Sequence, residues 1–153
     1  MSRLSVELQG EQGFRKALAQ AAQDVKDAAE AVVVATAIEL RADIVTSIQR
    51  GPASGRVYQK YSPRRTHKAS APGQPPMSDT GRLANNIYFE RLGDLTAAVG
   101  STLIYAVYLE YGTSTMNFAR GVGGPRPFFR PAIEKMRPKF RDKLEVALSG
   151  ALR

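Results

Sequence analysis

Residues 11–50 read EQGFRKALAQAAQDVKDAAEAVVVATAIELRADIVTSIQR, with no proline and a single glycine, Gly13. Within this stretch Phe14, Leu18, Ala21, Val25, Ala28, Val32 and Ala35 alternate at spacings of four and three. That spacing places them on one stripe of a helix, in a heptad-like pattern. Beyond Thr36 the apolar set moves to Ala37, Leu40, Ile44 and Ile48, so the buried face rotates there. Gly51-Pro52 then stops the helix, a glycine past the end followed by a proline. The segment from Phe14 to Arg50 would span roughly 55 Å at 1.5 Å per residue. A compact chain of 153 residues is only about 38 Å across. Such a rod either bends near Thr36 or rests part of its length on another subunit. The ten alanines between Ala17 and Ala42 suit close approach of a second helix and favour the subunit.

Working outward, Leu4, Val6 and Leu8 alternate with polar residues ahead of the helix, as in a half-buried strand ended by Gly10. After the helix, residues 51–80 read as an extended loop punctuated by Pro52, Pro63, Pro72, Pro75 and Pro76. Asn86–Leu92 and Leu95–Gly100 form two strand-like runs joined by Gly93-Asp94, a hairpin signal. Ile104, Val107, Tyr108 and Tyr111 recur at i, i+3, i+4 and i+7, which predicts a short helix closed by Gly112. Residues 113–126 form a second glycine-rich loop carrying Arg120 and Arg126. A last helix follows Pro131, with Ile133, Met136, Phe140, Leu144 and Leu148 on one side and a kink or restart expected at Pro138. No internal repeat is present. The expected fold is one α+β domain over residues 1–153: a small, mostly antiparallel sheet packed by the long N-terminal helix and the C-terminal helix, with two long loops.

Composition narrows the function. At 43% hydrophobic and 24% charged, the chain is an ordinary globule. No apolar run reaches the ~18–20 residues needed to span a bilayer, so no membrane partner is expected. The first residues lack the apolar core of a secretory signal, which points to synthesis in the cytoplasm. There is no cysteine and one histidine, His67, which removes thiolate zinc sites and cysteine nucleophiles and disfavours a Ser–His–Asp triad. Ser62, Arg64, Arg65, His67 and Lys68 match no phosphate-loop spacing. Gly121-Val-Gly-Gly-Pro lacks the following Gly-Lys-Ser/Thr, and nothing forces Glu110 to converge with Asp94 or Glu90. No enzyme and no cofactor is expected.

The net charge of +8 has a place in the chain. Arg56, Lys60, Arg64, Arg65 and Lys68 fall within thirteen residues, with Tyr58 and Tyr61 among them and no acid from Gly51 through Ser78. This is an electrostatic track suited to a nucleic-acid backbone, without base reading. A solvated loop, or one docking on an acidic neighbouring protein, would have the same composition. A soluble, non-specific DNA-binding protein is therefore one function class.

Two stretches are more specific. The first runs Ala71-Pro-Gly-Gln-Pro-Pro-Met-Ser-Asp-Thr-Gly-Arg-Leu-Ala-Asn-Asn-Ile87. The second is Tyr105-Ala-Val-Tyr-Leu-Glu-Tyr-Gly-Thr113, followed by Arg126-Pro-Phe-Phe-Arg-Pro-Ala132. The order PG-x-PP, TG-x-L, YA…LE-x-GT and RPF-x-RPA resembles the tailed-phage neck and tail-completion family named after gene product ten of an HK-type lambdoid coliphage. The stretch between Gly112 and Arg126 is longer than that family's usual pattern. The resemblance implies a virion structural protein at the head–tail junction, made in the host cytoplasm. It would form a ring, six-fold, that joins the neck and connector to the tail tube and surrounds the DNA channel. Its partners would be itself, neighbouring connector, tail terminator and tail tube proteins, and double-stranded DNA in the lumen. A tail terminator or other minor tail protein is the nearest alternative.

The matching residues have scaffold roles in this reading. Thr80 or Asp79 would cap a turn after Gly81 that seats Leu83 and Ile87. Tyr105 and Tyr111 flank Glu110, which would pair with Arg126 or Arg130. Gly112 would supply a left-handed close. Pro127 and Pro131 would preset an extended approach anchored by Phe128 or Phe129. The five cations of residues 56–68 would face DNA or a partner.

Overall fold

A computed structural model describes residues 10–113 and 123–152. The strand expected over Leu4–Leu8, and Arg120 with most of the second loop, lie outside the described residues. The elements are α1 (Glu11–Arg50), β1 (Val57–Tyr61), β2 (Arg64–Lys68), α2 (Arg82–Asn85), β3 (Ile87–Gly93), β4 (Thr96–Ser101), α3 (Ile104–Tyr111) and α4 (Phe129–Ala151). The architecture is α+β: a long helix, two antiparallel two-stranded sheets, and a C-terminal helix packed against the first.

Helix α1 is one unbroken element of 40 residues, about 60 Å at 1.5 Å per residue. Its buried residues are Thr36, Ala37, Ile44 and Ile48, so the apolar face shifts at residue 36 as its sequence requires. Of these, Ile44 and Ile48 meet Leu83 and Ala84 of α2, Ile87 of β3, Ala106 of α3, and Phe128 and Ala132 at the start of α4. Ala84, Ala106 and Ala132 are all buried, and their short side chains let the helices approach closely around the larger Ile and Phe groups. Helix α4 runs antiparallel to α1, with Lys135 on Asp43 at 2.7 Å and Lys143 on Glu39. It passes through Pro138 as one helix rather than restarting. Pro138 and Glu134, the residue four before it, are exposed, so water can satisfy the carbonyl that the proline leaves without a donor.

The strands divide into two hairpins. β3 and β4 lie on α1 and end against it, through Arg41 Nε donating to the Ile87 carbonyl at 2.8 Å and through the Lys26–Asp94 and Arg91–Glu30 ion pairs. A register shift between Arg91 and Gly93 moves the turn one residue onward, to Asp94 and Leu95, and Leu95 adopts φ 54°. The β1–β2 hairpin replaces part of the extended loop expected over 51–80. Tyr61 pairs with Arg64 and Val57 with Lys68 across a Ser62-Pro63 turn. Its strands are exposed on nearly every residue. An exposed hairpin has no need of apolar alternation, which is why the pattern reads as loop.

Candidate functional site

Strand alternation sorts the five cations of the hairpin. Tyr58, Lys60, Arg65 and His67 share one face by register, and Val57, Gln59, Tyr61, Arg64, Thr66 and Lys68 share the other. The first face closes on Asp79. Lys60 Nζ donates to Asp79 Oδ2, the Arg65 guanidinium forms an ion pair with Oδ1 at 2.6 Å, and His67 Nδ1 lies 3.6 Å from Oδ1. The Asp79 carboxyl is held below the usual carboxylate range by the hydrogen bond from Lys60 above all, against the opposing effect of burial, with the charges of Arg65, Lys60 and His67 adding to the lowering. Arg56 instead lies over the Tyr58 ring, 5.6 Å from its centroid. Lys60 and Arg65 are therefore engaged within the fold, while Arg64 and Lys68 point outward beside the exposed Val57 and Tyr61.

Asp79 was no part of the basic pattern in the sequence, yet it organises that pattern. The available signal was its position as the first acid after the acid-free run of residues 51–78. A depressed carboxyl contributes stability above its unfolded pKa, and that contribution is lost as pH falls through the folded value. Hydrogen-exchange protection of residues 57–68 is accordingly expected to drop only below the ordinary carboxylate range. Asp79→Asn should show low protection at every pH, and an acid-insensitive wild-type hairpin would contradict the role.

Beneath the hairpin lies a cavity of ≈ 680 Å³ lined by Tyr58, His67, Ser70, Asp79, Tyr105 and Arg126, among others. Ser70 is 2% exposed, and its hydroxyl has no hydrogen-bond partner among the described residues. Arg126 Nε donates to the Ser70 carbonyl at 3.4 Å, and Arg126 N to the Leu109 carbonyl at 2.6 Å, which ties the approach to α4 onto α3.

Glu110 has a different partner from the one expected. The carboxylate is buried, and no ion pair joins it to Arg126 or Arg130 among the described residues. Its Oε2 accepts the backbone N–H groups of Phe128 and Phe129 at 2.8 and 2.9 Å, and Oε1 that of Arg130 at 2.9 Å. These are donors that a helix start leaves without intrahelical acceptors, and an anion is favoured there. The Arg130 guanidinium instead lies 6.0 Å from the Tyr111 ring centroid. Pro127 sits in the extended approach and Pro131 in the first turn of α4. Gly112 closes α3 at φ 80°, its N–H donating to the Tyr108 carbonyl at 2.9 Å. At the other motif Gly81 adopts φ 78° ahead of α2, Thr80 Oγ1 accepts from Arg82 N at 3.4 Å, and Leu83 and Ile87 are buried.

The apolar stripe that identified α3 faces outward. Ile104, Val107, Tyr108 and Tyr111 are all exposed, and the buried residues are Ala106 and Glu110. Along α1, every residue from Glu11 to Asp24 is exposed except the half-buried Ala21. Among the described residues no group of three or more His, Asp or Glu gathers as metal ligands, and no helix is long and apolar enough to cross a membrane.

The chain belongs to the HK97-gp10-like family, whose model, described as "Bacteriophage HK97-gp10, putative tail-component", matches residues 1–112. It is thus a member of a bacteriophage tail-component family, which implies a place in the virion. No curated protein and no solved structure matches it.

Proposed function

We propose that this tail component assembles as a ring at the head–tail junction, six-fold as the family resemblance implies, and joins the connector to the tail tube around the DNA path. The role is structural rather than catalytic. The observation that carries the reading is the overhang of α1: Phe14 is 70% and Leu18 60% exposed on a helix that runs past the rest of the fold. Large apolar groups held rigidly in water on a helix are what an assembly partner covers. The α3 face of Ile104, Val107, Tyr108 and Tyr111 supplies a second such surface, suited to a neighbouring connector, terminator or tube protein. Imaging of intact particles carrying a labelled copy is expected to put the label between capsid and tail. Label at the far tip of the tail, or none in the particle, would overturn this reading.

The DNA path is faced by Arg64 and Lys68 rather than by all five cations. Arg64→Gln and Lys68→Gln are each expected to lower the salt slope of duplex-DNA retention by about one unit per contacting subunit. Arg65→Gln should leave that slope unchanged, since its guanidinium is on Asp79. Equal slopes for all three variants would remove DNA as the partner of this face.

A further inference from the structure

The exposed stripe of α1 does not end at the overhang. Its continuation, Ala28, Ala31, Val32 and Ala35, joins Val146 and Ala147 of α4 to line an apolar groove of ≈ 610 Å³, with Asp142 and Lys143 also lining it. One half of the stripe therefore carries large residues on a projecting helix, and the other half is an alanine-rich hollow. The spacing is the same in both. Moving a parallel copy by two heptads sets Phe14 beside Ala28, Leu18 beside Val32 and Ala21 beside Ala35.

Charge decides the direction. In that parallel, shifted register Arg15 flanks the seam next to Asp24 of the adjoining copy, an opposite-charge pair at the positions that set partner choice in paired helices. In an antiparallel, two-fold arrangement centred near Gln23, Asp24 would instead face Asp24 of the other copy. Like charges oppose that arrangement.

We propose that the Phe14–Val25 segment of one copy docks head-to-tail into the α1/α4 groove of the next. The contact uses two different patches of the chain, so it builds a ring where the rotation closes. The inference rests on the ring reading above and names the surface between its subunits.

Because the chain has no cysteine, engineered thiols report the contact without background. Full-length Leu18→Cys/Val32→Cys protein, oxidised both free and in assembled particles, is expected to give a covalent ladder beyond dimers. A mixture of the two single variants should give dimers, and neither single variant alone should. Leu18→Cys/Gln49→Cys, out of register, should give none, because the two Cα atoms must come within about 7 Å. Phe14→Asp/Leu18→Asp is expected to weaken self-association ~100-fold or more with an unchanged unfolding midpoint, since the overhang touches none of the core. Dimers from Asp24→Cys alone, or no Leu18–Val32 cross-link in either sample, would overturn the contact. A ring imaged at the junction without the cross-link would overturn this contact alone. A ladder from protein located elsewhere in the particle would overturn the position and leave the contact standing.

Discussion

Glu110→Leu is expected to destabilise the fold by about 3–5 kcal/mol, the largest effect of any single polar substitution in the chain. Three backbone donors at the start of α4 converge on this one carboxylate, at 2.8, 2.9 and 2.9 Å. Phe128, at the N-cap position, makes no side-chain cap of its own. Hydrogen bonds to a charged acceptor contribute roughly 1.5–3 kcal/mol each, and buried donors left without a partner add a desolvation penalty. The three act together, so the effects do not sum fully. Glu110→Gln keeps the shape and one oxygen, and should cost about half as much. Urea titration of both variants checks the order, and a loss under ~1 kcal/mol for the leucine variant would refute the cap. With total stabilities of about 5–15 kcal/mol, Glu110→Leu would leave α4 marginal at best.

Phe128→Ala is expected to cost about 3–5 kcal/mol, by lost burial and the cavity that remains. Phe128 is 1% exposed and meets Ile44 and Ile48 of α1 within the same core. Its neighbour Phe129 lies 4.9 Å away between ring centroids but is only partly buried. Phe129→Ala should therefore cost clearly less, about 1–2 kcal/mol. Thermal unfolding of the two variants side by side makes the comparison, and equal losses would mean that the core is centred elsewhere. The substitutions at 110 and 128 touch one junction, so the double variant should lose less than the sum.

The long helix was legible because proline is absent over 11–50 and the apolar spacing holds for seven positions before rotating at Thr36. The rotation is borne out by burial of Ala37, Ile44 and Ile48. The short helix ending at Gly112 was legible too, but its orientation was not. Periodicity reports that Ile104, Val107, Tyr108 and Tyr111 share a face, not which molecule covers it. The core instead took Ala106, whose small side chain admits a close neighbour, and Glu110, whose burial is compensated by the donors of α4. That pairing joins residues 18 to 20 positions apart, and no local pattern encodes it. The same limit hid the β1–β2 hairpin. Val57, Tyr58 and Tyr61 favour strands, but cations between them and water on both sides erase the alternation that marks a half-buried sheet.

One consequence concerns force. A single helix carries the packing of α2, β3, β4 and α4, and its far end stands clear of them all. Tension applied at that end travels down a ladder of axial hydrogen bonds and leaves as shear, spread over a seam nearly the length of α4. Loaded this way, the contacts resist together instead of peeling one after another, so the rod acts as a strut that braces the small body against pull along its axis.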